Sequence, residues 1–149
     1  MKIKLDEGAK MPTKAYNTDA GFDIYSREDK VVPAKGSAIF DTGVHIELPK
    51  LQICDQILLT AGMLKSKSGL NVNHNITSEG VIDISYSGSI VVKLYNLGDK
   101  DYEVKKGEKI SQLCIVPIIP VELELVDELV GGARGNNGFG SSGRWNLKN

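Results

Sequence analysis

At 149 residues the chain has the length of one ordinary domain and can bury a core without disulfides or a structural metal. Its 25% charged and 41% hydrophobic residues are the balance of a folded globular protein. A formal net charge of -1 excludes a general positive field that would gather nucleic acid or an acidic membrane. Cys54 and Cys114 lack metal-ligand spacing and are expected as reduced thiols. The opening MKIKLDEGAK lacks an apolar leader, and no run approaches the ~18 apolar residues of a membrane span, so a cytoplasmic protein is expected.

In chain order, the segment from Ala20 to Ser26 is predicted as an apolar strand carrying one acid, Asp23. A charge there is costly unless a cation or hydrogen bonds satisfy it. Val44, Ile46 and Leu48 alternate with His45 and Glu47, the period of a strand with one wet face. Lys65-Ser66-Lys67-Ser68-Gly69-Leu70 offers two amines, two hydroxyls and a glycine, a set able to cradle phosphate, and Gly69 to His74 can hold a short helix. Gly80 to Gly88 places Asp83 after β-branched residues and before Tyr86 and a turn glycine.

Ile90 to Leu97 and Ile110 to Ile119 are rich in Val, Ile and Leu on both faces, as in strands buried on both sides or packed against another subunit. Val121, Leu123 and Leu125 alternate with Glu122 and Glu124 and predict one more strand. Turn residues at Pro33 to Gly36, Asp41 to Gly43, Ser66 to Gly69, Ser87 to Gly88, Gly98 to Asp101 and Lys105 to Gly107 separate short strands, the pattern of a sandwich, jelly roll or barrel. Residues 1–129 are expected to form the β domain. The segment 130–149 is rich in glycine and almost free of aliphatic side chains, and it is expected as a functional arm.

No Ser-His-Asp arrangement is supported, since His45 falls in an alternating strand and His74 in a polar turn. Hydrolytic chemistry here must use carboxylates, backbone amides and a metal carried by the substrate. Asp83 can be a partly desolvated general base or an acid satisfied by turn amides, and the local residues leave both open. In the arm, Arg134 can fork onto phosphate oxygens that glycine amides approach closely.

Taken together and in order, these segments resemble the five motifs of the trimeric dUTP pyrophosphatases, the dUTPases, over about Pro12 to Gly143. The motifs correspond to Ala20 to Ser26, Ser66 to Leu70, Gly80 to Gly88 continuing to Gly98, Lys106 to Leu113, and Arg134 to Gly143. The resemblance implies an all-β, jelly-roll-like barrel assembled as a homotrimer, with its C-terminal strand and arm exchanged between subunits. It implies hydrolysis of dUTP to dUMP and pyrophosphate with Mg2+, and no nucleic-acid or membrane partner.

Carried over residue by residue, Asp83 would activate water for attack on the α-phosphorus, and Tyr86 would pack on the deoxyribose. The backbone from Thr77 through Gly80, Val81 and Ile82 would read uracil. Lys67, Ser68, Gly69 and Gln112 would hold phosphates, and Asp23 would meet the magnesium through water. Arg134 and Ser142 would grip the γ-phosphate and Phe139 would stack on uracil, with Gly138, Gly140 and Ser141 completing the closing arm.

Two departures stand out. Ser66-Lys67-Ser68 replaces the usual Pro-Arg-Ser, trading a bidentate fork for a point charge, and Ser142 stands where threonine is usual. Two other activities share the frame: a dCTP deaminase, whose glutamate would have to be Glu79, and a catalytically silent nucleotide-binding trimer with a regulatory role.

Overall fold

The computed structural model describes residues 1–132 and Gly135, and over these the alternating segments become short strands. They are β1 (Lys2–Leu5), β2 (Gly21–Tyr25), β3 (Lys30–Val32), β4 (Ser37–Asp41), β5 (Val44–Glu47), β6 (Leu51–Ile53) and β7 (Gln56–Lys65). After the helix α1 (Ser68–His74) come β8 (Ile76–Thr77), β9 (Glu79–Ile82), β10 (Val91–Asn96), β11 (Tyr102–Val104) and β12 (Lys109–Ile118). The short helix anticipated after Gly69 is present, and Asn75, left-handed at φ 56°, closes it.

The two ten-residue strands, β7 and β12, pair antiparallel and form the spine of the larger sheet, ordered β2-β12-β7-β6. β9 adds to the other end of β7. A smaller sheet, β4-β10-β8, and two ribbons, β1-β5 and β11-β3, complete the all-β, jelly-roll-like chain. One apolar cluster joins the sheets: Ile24, Leu64, Ile82 and Leu113 from the larger meet Phe40, Ile76, Val92 and Leu94 from the smaller. Most of these side chains exclude water completely, and each contributes roughly 1.5–3 kcal/mol by burial. The register of β12 shifts between Lys109 and Ser111, so Ile110 and Ser111 are both buried although adjacent in sequence.

Two expectations change. The segment Val121 to Leu125 is not a strand: its side chains are exposed, and among the described residues no strand lies alongside to satisfy its backbone. Pro120, which lacks an N–H, follows the end of β12. Of the two readings of Ile90 to Leu97, burial on both faces within the chain does not hold for β10: Val92, Leu94 and Asn96 point inward, while Val91 and Tyr95 lie on an outer face over which none of the described residues packs.

Candidate active site

The register of four neighbouring strands sets Asp23, Gln112, Lys65 and Glu79 in one row across the larger sheet, bringing the first and fourth motifs together beside the residues that precede the second and third. Asp23 is 5% exposed, and the cation its apolar strand demanded is present twice. Lys67 Nζ donates to Oδ1 at 2.5 Å, and Lys109 Nζ lies 2.7 Å from Oδ2. Burial alone would push the Asp23 carboxyl up. The hydrogen bonds from Lys109 and Lys67, with their charges, outweigh it and hold the group below the usual carboxylate range. The same bond to Asp23 raises the Lys109 ammonium.

Lys67 reaches this position because it is the N-cap of α1, with extended backbone at φ -71° and ψ 128° and no side-chain cap. Ser68 and Gly69 follow in the first turn, exposed, and a helix start leaves amides without intrahelical partners. Gln112 donates from Nε2 to the Ser66 carbonyl at 3.0 Å, which ties β12 to this turn and leaves a second N–H for a ligand.

Beneath these groups runs a chain of hydroxyls. Ser66 Oγ donates to the Ser78 carbonyl at 3.1 Å and accepts the Ser78 N–H at 2.9 Å, so the hydroxyl of Thr77, 2.8 Å away, must donate to it. Ser111 Oγ donates to the Lys65 carbonyl and lies 3.0 Å from Ser78 Oγ. Ser78 and Ser111 have no solvent exposure. Thr77, expected near the base, is therefore also a brace between the second motif and the strand leading into the third.

Gly80, Val81 and Ile82 lie on β9, the far flank of β7. Ile82 sits three residues from Glu79, about 10 Å along the strand. Asp83 follows it, so within one chain the Asp83 turn is well separated from the Asp23 cluster. Of the two readings left open for Asp83, this chain by itself gives it an exposed side chain, because the turn projects from the end of β9. Its carbonyl accepts the Tyr86 N–H at 2.9 Å. The Tyr86 ring, 45% exposed, folds over the turn with its hydroxyl donating to the Ser89 carbonyl at 2.9 Å. A Cβ on Gly88 would stand 2.4 Å from that hydroxyl, so only glycine admits this arrangement.

Sequence reasoning missed Lys109, Ser78 and Ser111. The bare acid in an apolar strand signalled that some cation must come, but not which lysine. Glu108, in the same motif, is a scaffold: it accepts from the Tyr102 hydroxyl at 2.5 Å and from the Lys105 N–H at 3.0 Å. Burial, followed by Glu108, pushes that phenol up to about 12. Among the described residues no three His, Cys, Asp or Glu side chains cluster to cage a metal.

The sequence model of the family described as dUTPase matches residues 7–143. The chain belongs to the dUTPase family. It is 40% identical over 148 residues to the deoxyuridine 5'-triphosphate nucleotidohydrolase of Clostridium tetani, covering 97% of each chain. It is 37% identical to that of Kluyveromyces lactis, over 97% of this chain and 94% of the other. Among solved structures, the dUTPase of Staphylococcus bacteriophage 80alpha with dUpNHpp superimposes with a TM-score of 0.84 at 30% identity, covering 95% of this chain and 97% of that one. A variant dUTPase from phage phi11 of S. aureus, whose structure shows coordination of a structural Mg(II) ion, gives 0.74 at 27% identity over 85% and 96%.

Of the dUTPase motif residues expected to act, Asp23, Lys67 and Gln112 come together, with Ser68 and Gly69 beginning the adjoining helix. Gly80, Val81, Ile82, Asp83 and Tyr86 form a second group on and beyond β9. Arg134, Gly138, Phe139, Gly140, Ser141 and Ser142 lie outside the described residues.

Proposed function

We propose that this chain, like its relatives named deoxyuridine 5'-triphosphate nucleotidohydrolases, hydrolyses dUTP, that the products are dUMP and pyrophosphate, and that it so limits uracil in DNA and supplies dUMP for dTMP synthesis. The observation that carries the reading is the Lys67-Asp23-Lys109 cluster beside Gln112. It sets two ammonium groups and an amide donor where a triphosphate can be gripped, next to a carboxylate ionised at neutral pH.

Asp83 takes a proton from water as its oxygen bonds the α-phosphorus, and the bond from that phosphorus to the bridging oxygen breaks to release pyrophosphate. Tyr86 packs on the deoxyribose and leaves no room for a 2′-hydroxyl. The β9 backbone reads uracil, and cytosine would leave its polar groups unpaired. Ser68, Gly69 and Gln112 meet phosphate oxygens, and Lys67 moves from Asp23 onto them. The donor set fits magnesium in one way: with Lys67 on the phosphates, Asp23 would keep Lys109 on Oδ2 and would meet the ion from Oδ1 through bound water, as suits an ion that keeps much of its hydration shell. When bound to the three phosphates, Mg2+ neutralises charge and keeps them in line for displacement.

The separation of Asp83 from Asp23 within one chain supports a site shared between protomers of a homotrimer, with 130–149 closing over a neighbour. The exposed apolar residues Val91, Tyr95, Leu123 and Leu125 support burial of this outer face and of the segment after β12 by neighbouring chains. Arg134 and Ser142 then reach the γ-phosphate, Phe139 stacks on uracil, and the chain from Gly138 through Gly140 and Ser141 closes the arm.

The test is pyrophosphate release with dUTP beside dCTP, dTTP and UTP, with and without Mg2+. Turnover confined to dUTP and dependent on the metal is expected, and ammonia release from dCTP would replace the reading by a deaminase. Asp83→Asn should lower kcat by about 10²–10⁴ while retaining a nonhydrolysable dUTP analogue, and unchanged turnover would remove Asp83 as base. Light scattering should give three times the 16.2 kDa chain mass.

A further inference from the structure

The loop that carries Asp83 and Tyr86 is tied firmly at its far end. Ile90 N–H donates to the Val44 carbonyl at 2.8 Å, the Thr42 hydroxyl donates to the Ile90 carbonyl at 2.7 Å, and Gly43 N–H donates to Ser89 Oγ at 2.9 Å. Ser89 Oγ donates to Asp41, which pairs with Arg27. The bonds of Tyr86 to Asp83 and Ser89 stay inside the loop and hold it to nothing else. On the near side β9 holds the loop through Ile82, paired with Gly62; after the turn, the first tie is His45, on β5, whose Nδ1 lies 2.9 Å from the Ser87 carbonyl and whose Nε2 lies 3.0 Å from Asp6 Oδ2.

We propose that His45 is a positioning residue for hydrolysis: through Ser87 it holds the Asp83–Tyr86 turn in its working form, and it lets go when the imidazole loses its proton. This rests on the reading of Asp83 as the base.

A carbonyl and a carboxylate only accept, so both bonds coexist only when both ring nitrogens donate, which is the imidazolium. The hydrogen bond to Asp6 and then that to the Ser87 carbonyl raise the His45 pKa above its usual 6.5, against burial and the Lys4 charge. On deprotonation one N–H remains. A carboxylate is the stronger acceptor, so the proton stays toward Asp6 and the Ser87 bond is the one lost.

The charged groups facing the ring are Lys4 on β1 and Asp6 just after that strand, with Lys4 paired to His45 in register and 3.6 Å from Asp6. The Lys2–Glu47 pair lies further along the ribbon, and Asp41 with Arg27 stands behind Gly43. Asp83 and Tyr86 make no hydrogen bond to the ring. A raised pKa makes the tether complete below pH 6.5 and weaker as pH rises through the folded value. Asp6, itself held below its usual range, stays ionised across that interval.

Two substitutions in the full chain separate the bonds. His45→Asn sets an amide N–H near Nδ1 and keeps the Ser87 bond without titrating; His45→Gln sets it near Nε2 and keeps only Asp6. With dUTP, the wild-type kcat should drop about fivefold across the imidazole titration, the effect of one hydrogen bond. His45→Gln should show the lower value and His45→Asn the higher one throughout. Hydrogen exchange of the Tyr86 amide, measured against that of Val92 in the core, should run the opposite way, slower in His45→Asn and faster in His45→Gln. Superimposable pH profiles for the three proteins would overturn the proposal, as would exchange that increases equally at Tyr86 and Val92 in His45→Gln. If Asp83→Asn kept full turnover, the base assignment would fall, while Tyr86 exchange would still decide the tether.

Discussion

Replacing Asp23 by asparagine keeps the shape of the side chain and removes its charge. At 8% side-chain exposure the carboxylate depends on Lys67 at 2.5 Å and Lys109 at 2.7 Å for the contacts water would have made. Asparagine can accept from one ammonium, but its own N–H₂ then faces the other, so one charge-assisted bond is lost and the second becomes a bond to a neutral acceptor. Such bonds contribute about 1.5–3 kcal/mol each. The two lysines are 26% and 46% exposed and regain water, which lowers the total. The net loss should be about 2–3 kcal/mol, or about 5–10 °C in Tm for a domain of this size.

Urea unfolding at fixed protomer concentration measures it, since any oligomer makes stability concentration-dependent. The sign with pH follows from the lowered Asp23 pKa. The carboxylate contributes fully above its ordinary value of 3.8 and loses its contribution as pH falls through the lower folded value. The gap between wild type and Asp23→Asn should therefore hold from pH 7 to about 4 and close in stronger acid. Equal stability of the two proteins at pH 7, or a gap that persists unchanged into acid, would show that the lysines do not hold this carboxylate in solution.

Ser111→Ala should cost about 1–3 kcal/mol, because the Lys65 carbonyl and the Ser78 hydroxyl both lose a buried partner. A Ser78→Ala/Ser111→Ala double variant should cost less than the sum of the single changes, and additive urea midpoints would refute the coupling. Deleting 130–149 should leave the far-UV circular dichroism unchanged, since every residue of the apolar cluster lies before it, and should abolish pyrophosphate release. A truncated protein with full activity would remove the arm from the reaction.

Much of this protein was legible along the chain because side-chain alternation and turn residues are local signals. Val44, Ile46 and Leu48 alternate and are buried; the short helix follows Lys67; a lone acid in an apolar strand announced that it needed a partner. What a one-dimensional pattern could not supply was register. That Lys109 rather than another lysine completes the Asp23 pair, that Ser78 meets Ser111, and that His45 reaches Ser87 all depend on which strands lie side by side and at what offset. The alternation at Val121 to Leu125 failed in the opposite direction: periodicity declares that a segment can be a strand, but only a neighbour's backbone makes it one, and none among the described residues does. Sequence thus determined which residues had unmet needs of burial, charge or hydrogen bonding. Tertiary structure decided which distant groups met them, because those contacts form across strands whose pairing no local pattern encodes.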